Sequence, residues 1–264
     1  MAKLAVLAIH GIGSTERGYS AALEKRLRRE IGVRSSEVCF VEIDYQKHLR
    51  DNQTRLWERI KGGLRWVLVR KFLPFYFGDA AAVLYNSSEP GSIYRKTQET
   101  IREAAEKALA QLEGPECPIV VIAQSLGCQI ISSYLWDAQR GKGIWTEKAS
   151  DSCMTFLKLG TLRYFLTTGC NIPLVVSGLH NIEPIDKPNP EFRWLNFYDA
   201  DDPLGWPLEP LYSYDPSRPQ ARPEDIPVNV GGVLKHWNPW SHSTYWTSER
   251  FIELAGARLR ELLE

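Results

Sequence analysis

Short unbroken apolar runs alternate along this chain with stretches in which apolar residues recur every three or four positions. Leu4–Ile9 is apolar throughout and predicts a strand covered on both faces. Ala21, Leu23, Leu27 and Ile31 follow at near-helical spacing, with Ser14 or Thr15 as candidate caps. Val38–Ile43 predicts a second strand, and Ile93–Leu112 an amphipathic helix that stops at Gly114-Pro115. A third strand over Ile119–Ala123 runs directly into a helical pattern over Cys128–Ala138. Further strands are predicted at Met154–Leu159, Arg193–Tyr198 and, more weakly, Val228–Leu234, with a closing helix over Trp246–Leu263. Strands alternating with helices predict the α/β class, a mostly parallel sheet with helices on both faces. Pro- and Asp-rich sequence between Ile182 and Pro227 predicts long loops over one edge.

Without a repeat or linker to divide them, the 264 residues are read as one domain, 1–264, with 50–92 as a cap or insertion. Acidic and basic residues balance at 32 each, which removes bulk charge as a means of attracting nucleic acid. The five cysteines form no Cys-x-x-Cys pair. Cys39, Cys128 and Cys153 lie in apolar segments and are read as small core residues, and a reducing, cytoplasmic setting is expected. No apolar stretch approaches the roughly 18 residues of a membrane span. No metal-ligand pattern or P-loop occurs, and Glu16 stands where a dinucleotide turn would need its third glycine. The expectation is no metal and no cofactor.

The chemistry is concentrated in Ala123-Gln124-Ser125-Leu126-Gly127. A serine on a sharp strand-to-helix turn, with small residues two before and two after, is the layout of a nucleophile elbow. The small residues are needed because strand and helix backbones pass close together there. A serine hydroxyl is weakly nucleophilic and needs a base, an acid that orients the base, and donors for the oxyanion. His10-Gly11-Ile12-Gly13 follows the first strand, and its glycines free the backbone to present N–H groups. Ile12 and Leu126 are the expected oxyanion donors, with His10 shaping the turn. Asp199, Asp201 and Asp202 follow the fifth strand. Asp202, held before Pro203, is favoured as the acid, with Asp199 next. His242, in a polar loop between aromatic residues, is favoured over His236 as the base. The order Ser125, Asp202, His242 matches neither the chymotrypsin nor the subtilisin order.

With these motifs the chain resembles the α/β-hydrolase-fold serine hydrolases of the lipase and esterase kind. It is particularly similar to bacterial lipase-like members with a late His-x-x-Tyr-Trp segment, here His242 to Trp246. The resemblance covers nearly the whole chain; it departs in Ala123, where glycine is usual, and in the crowded acid loop. It implies hydrolysis of an ester, thioester or amide through an acyl-enzyme, without naming a substrate. A small-molecule or lipid-like acyl compound is the expected partner. The aromatic and basic stretch Arg65–Phe77 is a candidate lid or peripheral membrane contact, or else a packed cap. A non-catalytic binding protein on the same fold is the rival from another class.

Overall fold

The computed structural model describes residues 1–11, 18–48, 59, 89, 91–146, 152–230, 242 and 244–264. Among these, six strands form one all-parallel sheet in the order β2-β1-β3-β4-β5-β6. They are β1 (Leu4–Ile9), β2 (Val38–Glu42), β3 (Ile119–Gln124), β4 (Leu162–Thr168), β5 (Arg193–Tyr198) and β6 (Pro223–Pro227). The described helices are α1 (Ala21–Ile31), α2 (Ile93–Leu109), α3 (Leu126–Arg140), α4 (Ser152–Leu157), α5 (Ile172–Val176) and α6 (Glu249–Glu261). Helices on both faces of a parallel sheet give the α/β architecture expected from the sequence.

Strand periodicity divides the interior into two layers. In β1, Ala5, Leu7 and Ile9 face a core shared with α2 and α3, while Leu4, Val6 and Ala8 face one shared with α1 and α6. The central strand β3 splits in the same way, Val121 and Ala123 against Val120 and Ile122. Both faces are therefore dry, which is why β1 and β3 are apolar at every position but the last of β3.

The chain leaves β1 for the β2 edge and then crosses back to β3, on the other side of β1. The two neighbouring strands thus connect outward in opposite directions. The carboxyl ends of two such strands are where an open α/β sheet places its ligand. Gly11 and Ser125 stand at those ends.

Several expectations are corrected. Met154–Leu159 is not a strand. Ser152–Leu157 is helix, and the fourth strand is Leu162–Thr168, reached through a turn at Leu159 (φ 58°). Residues 228–230 are not strand either; the edge strand is Pro223–Pro227, and 231–234 lie outside the described residues. Cys153 is exposed rather than core, whereas Cys39 and Cys128 are buried. The closing helix begins at Glu249, after a 3-10 turn over Tyr245–Thr247. The insertion at 50–92, including Arg65–Phe77, lies almost wholly outside the described residues. No described helix is long and apolar enough to cross a membrane.

The backbone of α3 passes close to that of β1. A Cβ on Gly127 would stand 2.9 Å from the Ile9 carbonyl oxygen and 3.0 Å from that of His10. Gly127→Ala is expected to destabilise the protein by about 1–3 kcal/mol in urea denaturation. Unchanged stability would contradict this packing.

Candidate active site

Ser125 sits between β3 and α3 with φ 53° and ψ −124°. A non-glycine residue there carries about 1–3 kcal/mol of backbone strain, so the surroundings must hold it. Its N–H donates to the Thr168 carbonyl (3.0 Å), and its own carbonyl accepts from Cys128 N–H (3.0 Å). Gly11 completes the hold: a Cβ at that position would collide with the Ser125 Cβ and stand 3.0 Å from its Oγ. The Gly11 carbonyl in turn accepts from Tyr45 Oη (2.9 Å) and Gln46 Nε2 (2.6 Å), both buried. Leu126 opens α3, where the first N–H groups have no acceptor within the helix and the dipole favours negative charge. Ile12, the other expected oxyanion donor, lies outside the described residues.

The acid loop is built from the end of β5. Asp202 is buried, and its carboxylate accepts from three directions. His242 Nδ1 donates to Oδ2 (2.8 Å), Tyr245 Oη donates to the same oxygen (2.8 Å), and Leu204 N–H donates to Oδ1 (3.0 Å). A carboxylate can only accept, so the His242 proton sits on Nδ1 and the Nε2 lone pair is free. That Nε2 is buried and has no hydrogen-bond partner among the described residues. Burial pushes the Asp202 pKa up. The bonds from His242, Leu204 and Tyr245 outweigh it and hold the carboxyl below its ordinary value.

Asp199, the alternative acid, meets different donors. Its Oδ1 accepts from Asp201 N–H (2.9 Å) and its Oδ2 from Val230 N–H (2.7 Å), so it caps the turn that carries Asp202. Asp201 is exposed. His236, Trp237 and Trp240 lie outside the described residues.

The structure places Ser125 at the end of β3, the His242 ring beside Gly169 at the end of β4 and Asp202 in the turn after β5, with no hydrogen bond between Ser125 Oγ and His242 Nε2. The His242 ring rests on Gly169, the residue after Thr168, where a Cβ would stand 3.0 Å from the imidazole. Gly205 makes similar room: a Cβ there would stand 2.6 Å from Asp202 Oδ2 and 2.7 Å from Tyr245 Oη. Gln124, the last residue of β3, donates from Nε2 to the His242 carbonyl (2.6 Å). His10 packs edge-on to Tyr19 and Trp246; burial lowers its pKa, and the nearby His242 lowers it further. Its neutral ring therefore adds no charge beside His242 at neutral pH.

Sequence reasoning missed several supporting groups. Asn196 bonds Asp225 (2.7 Å) and the Trp206 carbonyl (3.0 Å), and Asp225 accepts from Leu208 and Glu209 N–H. This network closes the acid loop onto β6. Tyr245 was visible only as part of the late aromatic segment, and Gln124 only as a spacer in the elbow. The buried Cys128, one turn from Ser125, is no competing nucleophile, because burial pushes its thiol well above the ordinary range. Among the described residues no group of three His, Cys, Asp or Glu could hold a metal. A groove of about 540 Å³ runs beside α3, lined by Gln129, Ser133, Trp136, Ile172, Val176 and Leu179 among others.

Two outcomes test this geometry. Tyr245→Phe removes one donor from Asp202 and the acceptor of Asp199 N–H (3.0 Å), and should destabilise the protein by about 1–3 kcal/mol in urea. A loss under about 0.3 kcal/mol would contradict the bonds. A carboxyl with a depressed folded pKa stabilises fully above its unfolded pKa and loses that contribution as pH falls through the folded value. The stability difference between wild type and Asp202→Asn should therefore shrink as pH is lowered from about 6 to about 2. A constant difference would show that Asp202 is not held ionised.

No protein-family model matches the chain, and no curated protein matches it in sequence. Solved structures do resemble it. An acetylxylan esterase aligns with 13% identity and a TM-score of 0.44, covering 100% of this chain and 99% of its own. EstE1, a thermostable carboxylesterase cloned from a metagenomic library, gives 14% and 0.48, covering 100% and 81%. An arylesterase gives 14% and 0.46, covering 100% and 78%. At these values the likeness says nothing of substrate, and the fold assignment rests on strand order and crossovers.

Proposed function

We propose that this protein is a serine hydrolase that cleaves carboxylic esters through an acyl-enzyme. The observation that carries the reading is the buried Asp202–His242 pair. It leaves His242 Nε2 unpartnered beside the end of β4, the strand next to the one that ends in the strained turn of Ser125. A fixed tautomer, a buried acceptor and a serine on a tight strand-to-helix turn are parts that acyl transfer uses.

In this mechanism Ser125 Oγ attacks the acyl carbon as its proton passes to His242 Nε2. The new Oγ–C bond converts the carbonyl oxygen into an oxyanion. The Leu126 N–H at the start of α3 stabilises it, and Ile12 is assigned as the second donor. Collapse re-forms the carbonyl and breaks the bond to the alcohol oxygen, which takes the proton from His242. Water then attacks the acyl-enzyme, giving a proton to His242 Nε2. Breaking the Oγ–C bond releases the carboxylic acid, and that proton returns to Ser125. Asp202 keeps its negative charge throughout and stabilises the imidazolium. No step calls on a metal or cofactor. Esters are the first choice because an alcohol leaves with less assistance than an amine.

Hydrolysis of p-nitrophenyl esters of graded acyl length tests the reading. Wild type should show turnover preceded by a burst of p-nitrophenol stoichiometric with enzyme. Ser125→Ala and His242→Ala should each lower kcat by about 10⁴-fold or more, with Asp199→Asn within several-fold of wild type. Folded wild type that hydrolyses none of the series, or Ser125→Ala that keeps its activity, would overturn the proposal. Turnover of matched thioesters or amides in preference to esters would move the assignment to that acyl class.

A further inference from the structure

The Ser–His–Asp arrangement explains how the His242 ring is oriented at Nδ1, but an imidazole aligned by one bond can still move with its backbone. The neighbours of His242 in the chain, 231–241 and 243, lie outside the described residues. The other end of the residue is its carbonyl, and Gln124 bonds it. The Gln124 amide donates to that oxygen at 2.6 Å across 118 positions of sequence. Gln124 is 1% exposed and belongs to β3, in register beside Thr168 of β4. Its Cα is adjacent to that of Ser125. The same residue therefore touches the nucleophile through the chain and the base through a buried hydrogen bond.

We infer that Gln124 is a positioning residue that fixes the distance between His242 and Ser125 by anchoring the His242 carbonyl to the nucleophile's own strand. This rests on the proposed hydrolytic reading. His242 is then held at two points, its ring by Asp202 and its main chain by Gln124, and rotation about the residue is removed. Ring orientation comes from the β5 loop and ring position from β3. The elbow residue before the serine thus becomes a determinant of rate rather than a spacer. The chemistry required is a neutral donor of this length, which glutamine supplies without bringing a second charge beside the imidazolium.

The test uses full-length wild type, Gln124→Met and Gln124→Glu on a p-nitrophenyl ester, with the folded state of each checked by its thermal transition. Gln124→Met keeps the volume and loses the donor. Its kcat should fall about 10- to 100-fold, with KM within about twofold, because a small displacement of a catalytic group acts on the chemical step. Gln124→Glu separates positioning from packing. Ionised, its carboxylate repels the His242 carbonyl; protonated, its hydroxyl restores a donor, and burial favours the protonated form. The ratio of kcat for Gln124→Glu over Gln124→Met should therefore exceed one at the acid end of the pH range. A merely structural role would not produce that excess. Gln124→Met with kcat within twofold of wild type would overturn the inference, as would equal activity of the two variants at every pH. An inactive wild type would instead refute the hydrolase reading.

Discussion

The site depends on one buried carboxylate. Asp202 is sealed from water, and an ionised group in that position is tolerated only if its lone pairs are met by donors. Three are present, from His242, Tyr245 and Leu204. They come from the loop after β5 and from the segment before α6, so satisfying the charge ties those two parts of the chain together. The acid loop is held in turn by the buried Asn196 and the half-buried Asp225, which bond the backbone of residues 206–209. The glycines at 169 and 205 follow from the same demand, because any side chain there would occupy the space of the imidazole, the carboxylate or the tyrosine hydroxyl.

A second constraint comes from the sheet. β1 and β3 are neighbours whose connections leave in opposite directions, and Ser125 stands at the carboxyl end of β3. The strained serine backbone is maintained by close packing on Gly11 and by the bond to the Thr168 carbonyl. Tyr45 and Gln46 converge on the Gly11 carbonyl, which fixes the orientation of the turn that faces the serine. Fold and site are thus continuous: Gly127 lets α3 approach β1, and Gly11 at the end of β1 leaves room for Ser125.

Much of this was legible in sequence where the physics is local. The strands β1, β3 and β5 were marked by unbroken apolar runs, and the elbow by small residues around a serine. Legibility failed where tertiary context decides. Met154–Leu159 is as apolar as a strand, and a short apolar run has no period that separates strand from buried helix. Pro223–Pro227 carries no strand signal at all; among the described residues it pairs on one side only, which tolerates its prolines. Asp202 and Asp199 could not be separated with assurance by sequence, because both lie in one turn; the difference lies in which donors their oxygens meet. Gln124 gave no signal, since its partner is 118 residues away.

The central claim is that Ser125 is a nucleophile activated by its surroundings. Treatment of native protein with a fluorophosphonate, followed by intact-mass and peptide mapping, tests it most directly. The account predicts a single stoichiometric adduct on the Ser125 peptide, abolished by prior unfolding and by His242→Ala. A folded protein that takes up no label, or that is labelled equally after Ser125→Ala, would contradict it.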